Sequence, residues 1–330
     1  MTSTTRSPEP FVSIVTPVYN GADYLRECIE SVLRQSHANF EYTIVDNAST
    51  DSTPDIASSY SRRDSRIRHL RFEELVEANS NHNRAFESIS PESAFCKVVQ
   101  ADDWLYPECV ERMVDVGSRD NVGIVSAFRI WDRIVDLDGL APGRSVFPGR
   151  EILREALLGR LHVTGAPTSV LYRADLVRSR VPFYQPDLEH ADTDAAYDLL
   201  QESDFGFVHQ VLTFARRQAG SRMRWSARMN TYGPANIRFL LRYGAGTLPP
   251  DEYRRRMRDV LRQYIRFHVR QLPKPSRLAD SRFFDLHQTE IAAIMAEGGA
   301  ADREIRVALA VIRVLLARGA WHPEPARLIR

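Results

Sequence analysis

Several short apolar runs in the first half of the chain end in residues able to do chemistry. Thr16-Pro-Val-Tyr-Asn20 closes the first run, Asp46-Asn47 the second, and Asp102-Asp103 a later one. Adjacent carboxylates at such a position are the kind of group that holds Mg²⁺ or Mn²⁺ together with phosphate oxygens and water. Further along lies a dense acidic stretch: Asp187, Glu189, Asp192, Asp194 and Asp198. No G-x-G-x-x-G follows the first run and no G-x-x-x-x-G-K-[ST] occurs anywhere, so neither a dinucleotide fold nor a P-loop is supported. A phosphate-bearing ligand would have to be met by a carboxylate-bound cation in place of a glycine cradle. His162, His190 and His209 are scattered, and Cys28, Cys96 and Cys109 lack metal spacing, so no zinc site is expected. Cys28 and Cys96 fall at apolar positions and read as small core residues, which fits a reducing compartment.

The elements that must position these groups follow from periodicity. Residues 11–18 are apolar and β-branched, the pattern of a buried strand. Leu25, Cys28, Ile29, Val32 and Leu33 repeat at i, i+3, i+4, i+7 and i+8, an amphipathic helix over 24–35. Strands follow at 40–45, 67–72, 95–99 and 122–128, with helices at 52–61 and 81–89 and another opened by Pro107. Strand, helix, strand at these spacings predicts right-handed βαβ units and a largely parallel sheet. Ligands in such sheets bind beyond the carboxyl ends of the strands, where the polar clusters lie. Residues 130–180 are less regular, with a helix over 152–158, a loop at 165–169 and a short strand at 169–172. A helix starts near Asp192, and 205–214 is a further strand. After Gly220 the pattern turns helical, over 236–243, 252–269, 282–297 and 302–316. Pro249-Pro250 and Pro273-Lys-Pro275 punctuate it.

Three segments, Val12-Ser-Ile-Val-Thr-Pro-Val-Tyr-Asn20, Tyr42-Thr-Ile-Val-Asp-Asn-Ala-Ser-Thr-Asp51 and Gln100-Ala-Asp-Asp-Trp104, resemble in order and spacing glycosyltransferase family 2 over about residues 10–218. The resemblance implies an α/β GT-A fold, a largely parallel mixed sheet flanked by helices, here followed by a C-terminal helical segment. It implies inverting transfer from a nucleotide-sugar donor, usually UDP-linked, assisted by Mg²⁺ or Mn²⁺. The family pattern maps nucleotide contacts onto Thr16, Pro17, Tyr19, Asn20, Asp46, Asn47, Asp51, Asn83 and Asp102, and metal ligation onto Asp102 and Asp103. Many members read Asp-x-Asp-Asp where this chain has Gln100; that side chain can still hydrogen-bond a ribose or a water. The general base maps to Asp192, in a segment where Ala191 replaces the usual Glu, with Asp194 as the second candidate. Trp104, Thr168, Ser169 and Arg216 lie where the family lines the acceptor and diphosphate, and Arg217 adjoins them. Asn79 and Arg84 share a helix with Asn83. The two departures keep open an alternative: a degenerate member serving as a non-catalytic binding or scaffold protein. A sugar nucleotidyltransferase would show a glycine-rich basic N-terminal loop, which is absent.

The whole chain, 330 residues, carries 44 Lys+Arg against 43 Asp+Glu. This argues against a dedicated nucleic-acid binder but hides a division. Residues 1–219 hold 23 basic and 33 acidic residues, a net of −10, and residues 220–330 hold 21 and 10, a net of +11. The expected organisation is a catalytic domain over 1–219 and a helical, basic region over 220–330. The basic region would meet an anionic membrane surface or acceptor, or pack against the acidic catalytic half, and because no apolar run reaches 18 residues any membrane contact is expected to be peripheral. No signal peptide is read in Met1–Pro10, so a cytoplasmic location, peripheral to the inner face of the cell membrane, is expected. The acceptor is expected to be a saccharide or lipid-linked saccharide in polysaccharide or glycoconjugate assembly. Neither sugar, linkage nor oligomeric state is encoded in any readable pattern. Forty-two of the 44 basic residues are Arg; Lys97 and Lys274 are the exceptions.

Overall fold

The computed structural model describes residues 9–162, 164–216, 222–271 and 281–320. The chain divides into two compact units, Met1–Gln218 and Ala219–Arg330. Arg217, Pro273-Lys-Pro275 and most of the N-terminal decapeptide lie outside the described residues.

The first unit begins with β1 (Val12–Val18), α1 (Leu25–Leu33), β2 (Phe40–Asn47), α2 (Thr53–Ser61), β3 (Ile67–Phe72), α3 (Ala78–Glu87) and β4 (Phe95–Val98). It continues through β5 (Trp104–Leu105), α4 (Cys109–Gly117), β6 (Val122–Trp131), β7 (Ile134–Asp136), β8 (Val146–Phe147) and α5 (Gly149–Leu157). It closes with β9 (Val170–Arg173), α6 (Ala174–Ser179), α7 (Ala191–Leu199) and β10 (Asp204–Ala215). All ten strands form one mixed sheet of order β3-β2-β1-β4-β9-β6-β10-β5, with β7 on β6 and β8 on β10. The β1/β2, β1/β4, β2/β3 and β6/β10 pairs are parallel, whereas β9 runs antiparallel between β4 and β6. Every residue of β1 is buried, because helices cover both faces of a parallel core; this is why the strand reads as a continuous apolar run. The register Val18↔Asp46 and Val15↔Val98 brings the ends of β1, β2 and β4 to one edge.

Expected boundaries shift by a few residues. Helix α3 begins at Ala78, before the periodic stretch, and α4 begins at Cys109, two residues after Pro107. The irregular 130–180 region carries β7, β8 and α6. Ile134 and Val135 of β7 are exposed, so no apolar alternation marks that strand. One of the two lysines, Lys97, is wholly buried in β4. Its ammonium donates to the carbonyls of Thr168 and Val170, the latter at 3.0 Å, which ties β4 to the segment entering β9. Cys28, Cys96 and Cys109 are free and buried.

The second unit is helical: α8 (Arg222–Met229), α9 (Tyr232–Phe239), a π-helical turn at Leu240–Gly244, α10 (Ala245–Thr247), α11 (Pro250–Gln271), α12 (Ser281–Ile294), a second π turn at Met295–Gly299 and α13 (Arg303–Ala320). Pro250 opens α11, where its missing N–H is harmless. Met257, Val260, Leu261, Ile291, Ile294, Ile305 and Ile312 form its core. Tyr264, His268 and His287 are buried there too, the Tyr264 hydroxyl 2.6 Å from His287 Nδ1. Among the described residues no helix is long and apolar enough to cross a membrane.

Candidate functional site

The loops after β1 and β2 are stitched into one surface. Asn20, at φ +49°, accepts with Oδ1 from the Thr50 N–H at 2.8 Å and the Asp51 N–H at 3.4 Å. Its own N–H donates to Ser49 Oγ at 2.9 Å. Gly21 donates to Thr53 Oγ1 at 2.9 Å, and a Cβ at Gly21 would come within 2.5 Å of Val18 Cγ2. Asp51 accepts the Ala22 N–H with Oδ2 at 3.0 Å and the Thr53 N–H with Oδ1 at 2.9 Å. Burial acts to raise the Asp51 pKa, but the bonds from Thr53 and Ala22 outweigh it and hold the carboxyl below its ordinary value. Thr16 and Pro17 sit inside the sheet, the Thr16 hydroxyl 2.9 Å from Tyr42 Oη. Tyr19 stands out from this surface, 47% exposed.

Beneath the stitched loops, Asp46 is fully buried. Its Oδ1 accepts the Ser49 N–H at 2.9 Å; Oδ2 has no hydrogen-bond partner and lies 3.7 Å from His69 Nε2 and 3.8 Å from Arg71 Nε. Burial pushes its pKa up, and the His69 and Ser49 contacts more than reverse this, leaving it lowered. Oδ2 is thus held between the His69 and Arg71 side chains as an ion pair, while it accepts no hydrogen bond. His69 and Arg71 were absent from the expected site residues. The signal is the two-residue spacing of His69 and Arg71 in β3, which puts both on one strand face, and the register sets Arg71 opposite Asp46.

Asparagines on and beside α3 serve as struts. Asn47 donates to the Val76 carbonyl at 2.7 Å and accepts from the Val76 N–H and from Arg84 Nη1. Asn83 bonds both ways to the Tyr184 backbone, at 2.7 and 2.8 Å, and Asn79 donates to the Leu188 carbonyl at 2.8 Å. These contacts bind α3 to the loop that leads into α7.

The turn after β4 gathers the expected cation ligands. Asp103 is buried: Oδ2 accepts from the Thr168 hydroxyl at 2.6 Å and Oδ1 from the Arg216 N–H at 3.0 Å. Burial and the neighbouring Asp102 charge push its pKa up to about 7. Asp102 is less enclosed, and burial raises its pKa as well. Two crowded carboxylates whose charged forms are disfavoured are a donor set that a divalent cation would relieve. Among the described residues no group of three or more His, Cys, Asp or Glu side chains is placed to hold a metal. The fit is therefore to a cation bound by one or two carboxylates, with ligand oxygens and water completing it. Arg216 braces the turn, donating from Nε to the Asp102 carbonyl at 3.1 Å and from Nη2 to Glu27 at 2.5 Å, with its guanidinium 4.4 Å from the Tyr24 ring centroid. Trp104 stacks on Phe214 at 3.7 Å, and Ser169 is buried at the entrance to β9.

The two carboxylates in the first turn of α7 differ sharply. Asp194 is fully buried and accepts from Arg180 Nη2 at 2.7 Å, while Arg180 Nη1 bonds Asp198. Asp192 is half-buried; its Oδ1 accepts the Thr193 N–H at 2.8 Å. Its charge is felt at His162, whose pKa is lowered chiefly by burial.

A family model described as glycosyl transferase family 2 matches residues 13–180. The putative glycosyltransferase EpsH of Bacillus subtilis is 28% identical over 189 residues, 56% of this chain and 53% of that protein. The chain thus spans about half the length of that relative. In structure it is similar to Staphylococcus aureus TarS 1–349, with a TM-score of 0.62 at 16% identity over 94% of this chain and 90% of that one. TarS has also been solved with UDP-GlcNAc. The mannosyltransferase PcManGT of Pyrobaculum calidifontis, solved with GDP-Man and Mn²⁺, gives a TM-score of 0.54 at 15% identity over 95% and 88% of the two chains. At these identities the structural likeness establishes the GT-A-type fold.

Proposed function

The chain belongs to glycosyl transferase family 2, and from that premise we propose that it is an inverting glycosyltransferase moving a sugar from a nucleotide-sugar donor, UDP-linked by preference, to a glycan or glycoconjugate hydroxyl. One observation carries the proposal: exposed Tyr19, Asp46, whose Oδ2 accepts no hydrogen bond, and the Asp102-Asp103 pair stand at one edge of the parallel core. Tyr19 packs on the base or ribose, and Asp46 accepts from a base N–H. TarS and PcManGT, bound to UDP-GlcNAc and GDP-Man, support a nucleotide-sugar donor for this fold.

Asp102, backed by Asp103, would hold the Mg²⁺ or Mn²⁺. When bound, the cation supplies neutralisation of the charge that builds on the leaving diphosphate. Arg216 and Thr168 keep the Asp103 carboxylate and the Asp102 backbone in place. Asp192 takes the proton from the acceptor hydroxyl as that oxygen attacks the anomeric carbon in line, on the face opposite the diphosphate, and configuration inverts. Asp194 holds the helix that presents Asp192. Residues 1–219 form the catalytic domain. The basic region after 220, with exposed Arg254, Arg255 and Arg258 on α11, meets an anionic surface at the inner face of the membrane, where a lipid-linked or saccharide acceptor is found.

The test is a panel of UDP-, GDP- and TDP-sugars with and without Mn²⁺ or Mg²⁺, read by donor hydrolysis and by thermal shift. Metal-dependent turnover of one donor is expected. Nucleotide binding without turnover of any donor would favour the non-catalytic alternative.

A further inference from the structure

We propose that His82 is a positioning residue that fixes the side-chain amide of Gln100 as a hydroxyl acceptor for the ribose of the nucleotide; this rests on the nucleotide-binding reading of the site. His82 Nδ1 lies 2.8 Å from the Ala78 carbonyl oxygen. A carbonyl only accepts, so Nδ1 carries the proton, and in the neutral imidazole Nε2 is then an acceptor. Gln100 Nε2 lies 3.0 Å from that Nε2. The amide therefore donates to His82, and Oε1, on the other branch of the same planar group, is turned away from the imidazole.

Both partners are held where they are. The Gln100 N–H donates to Thr168 Oγ1 at 3.0 Å, and its carbonyl accepts from the Asp103 N–H at 3.0 Å. On either side of His82, Asn83 is bonded to the Tyr184 backbone and Asn81 reaches the Val45 carbonyl at 3.5 Å. The His82 ring also lies 5.5 Å from the Tyr184 ring. A glutamine amide left alone has two nearly isosteric orientations, one offering oxygen and the other an NH₂ group. The imidazole removes that choice two residues before Asp102. It gives Gln100 the acceptor polarity of a carboxylate without adding a third negative charge beside the crowded Asp102-Asp103 pair.

The experiment measures dissociation constants of the full chain for UDP, with GDP as a second probe, and for 2′-deoxy- and 3′-deoxy-UDP. His82→Ala is expected to weaken UDP binding by about tenfold, the size of one hydrogen bond. The loss should shrink below about twofold for whichever deoxy analogue lacks the bonded hydroxyl. His82→Gln, whose own amide oxygen can accept from Gln100, should recover most of the affinity. In a Gln100→Asp background, where either oxygen accepts, His82→Ala should cost almost nothing. Equal loss for UDP and both analogues, or the same loss in the Gln100→Asp background, would overturn the inference while leaving nucleotide binding intact. A wild-type chain that binds neither UDP nor GDP would overturn the nucleotide reading itself.

Discussion

Arg180 donates to Asp194 at 2.7 Å and also bonds Asp198, so the short segment before α7 is clamped to two successive turns of that helix. Asp192, in the same first turn, is half-buried and accepts the Thr193 N–H. The two candidate bases therefore separate experimentally. Asp192→Asn should lower kcat by about 10²–10⁴-fold, the usual worth of a general base. The nucleotide Kd should stay within about twofold and Tm nearly constant, as expected of a half-buried polar swap. Parallel loss of affinity and stability would show Asp192 to be structural.

Asp194→Ala should behave oppositely. Arg180 keeps Asp198 and the Phe183 carbonyl, so losing the buried Asp194 carboxylate costs about 1–3 kcal/mol, the worth of a charged hydrogen bond. Thermal unfolding should drop by about 5 °C. A variant with unchanged Tm and lost turnover would instead make Asp194 the base.

Asp102→Ala should abolish the difference in nucleotide affinity measured with Mn²⁺ and with chelator. Asp103→Ala should do the same and also destabilise, because it strands the Thr168 hydroxyl and the Arg216 N–H. Isothermal titration in both conditions decides this. Unchanged affinity in both variants would refute the cation assignment.

Asp51 joins the two nucleotide-side loops by bonds to Ala22 and Thr53. Asp51→Ala should cost about 1 kcal/mol of stability and weaken nucleotide binding through loss of loop order. Asp51→Asn keeps an acceptor for one bond and should be milder. Hydrogen exchange of residues 19–24 checks the mechanism, and unaltered exchange would remove it.

The second unit should be acid-sensitive. Burial holds the His268 pKa at about 3, with His287 contributing, and burial holds the His287 pKa at about 4. Both lie below the ordinary value near 6.5. As pH falls through about 6.5 the unfolded chain takes up protons that the folded one refuses. The stability from these two groups is full above that pH and drains away down to about 3–4. Protection of residues 250–271 and 281–294 against exchange, corrected for intrinsic rates, should fall between pH 6.5 and 4.5. A flat profile would contradict it. His268→Phe with His287→Phe should flatten it, if the pair folds.

The strand at 11–18, buried on both faces, read as a near-continuous apolar run, and those at 40–45, 67–72, 95–99, 122–128 and 205–214 were legible from β-branched and aromatic residues between turn signals. The same signal failed for β7, whose valine and isoleucine face solvent, and for β5, only two residues long. Lys97 was invisible as a core residue, since only the carbonyls of Thr168 and Val170, over 70 positions away, make its burial tolerable.

The sequence by itself determined the family, the order of the strands along the chain and the edge at which polar groups collect. All three depend on local runs and short-range spacing. Tertiary structure alone decided what each polar residue does there. Asp46 pairs with His69 and Arg71 of β3, whereas Asn47, one residue on, is tied to Val76; Asp194 is clamped by Arg180; Gln100, in the turn after β4, meets a histidine of α3. Those differences come from partners brought together across the chain, and a hydrogen bond depends on ångström-scale distance and direction that no spacing in the sequence records.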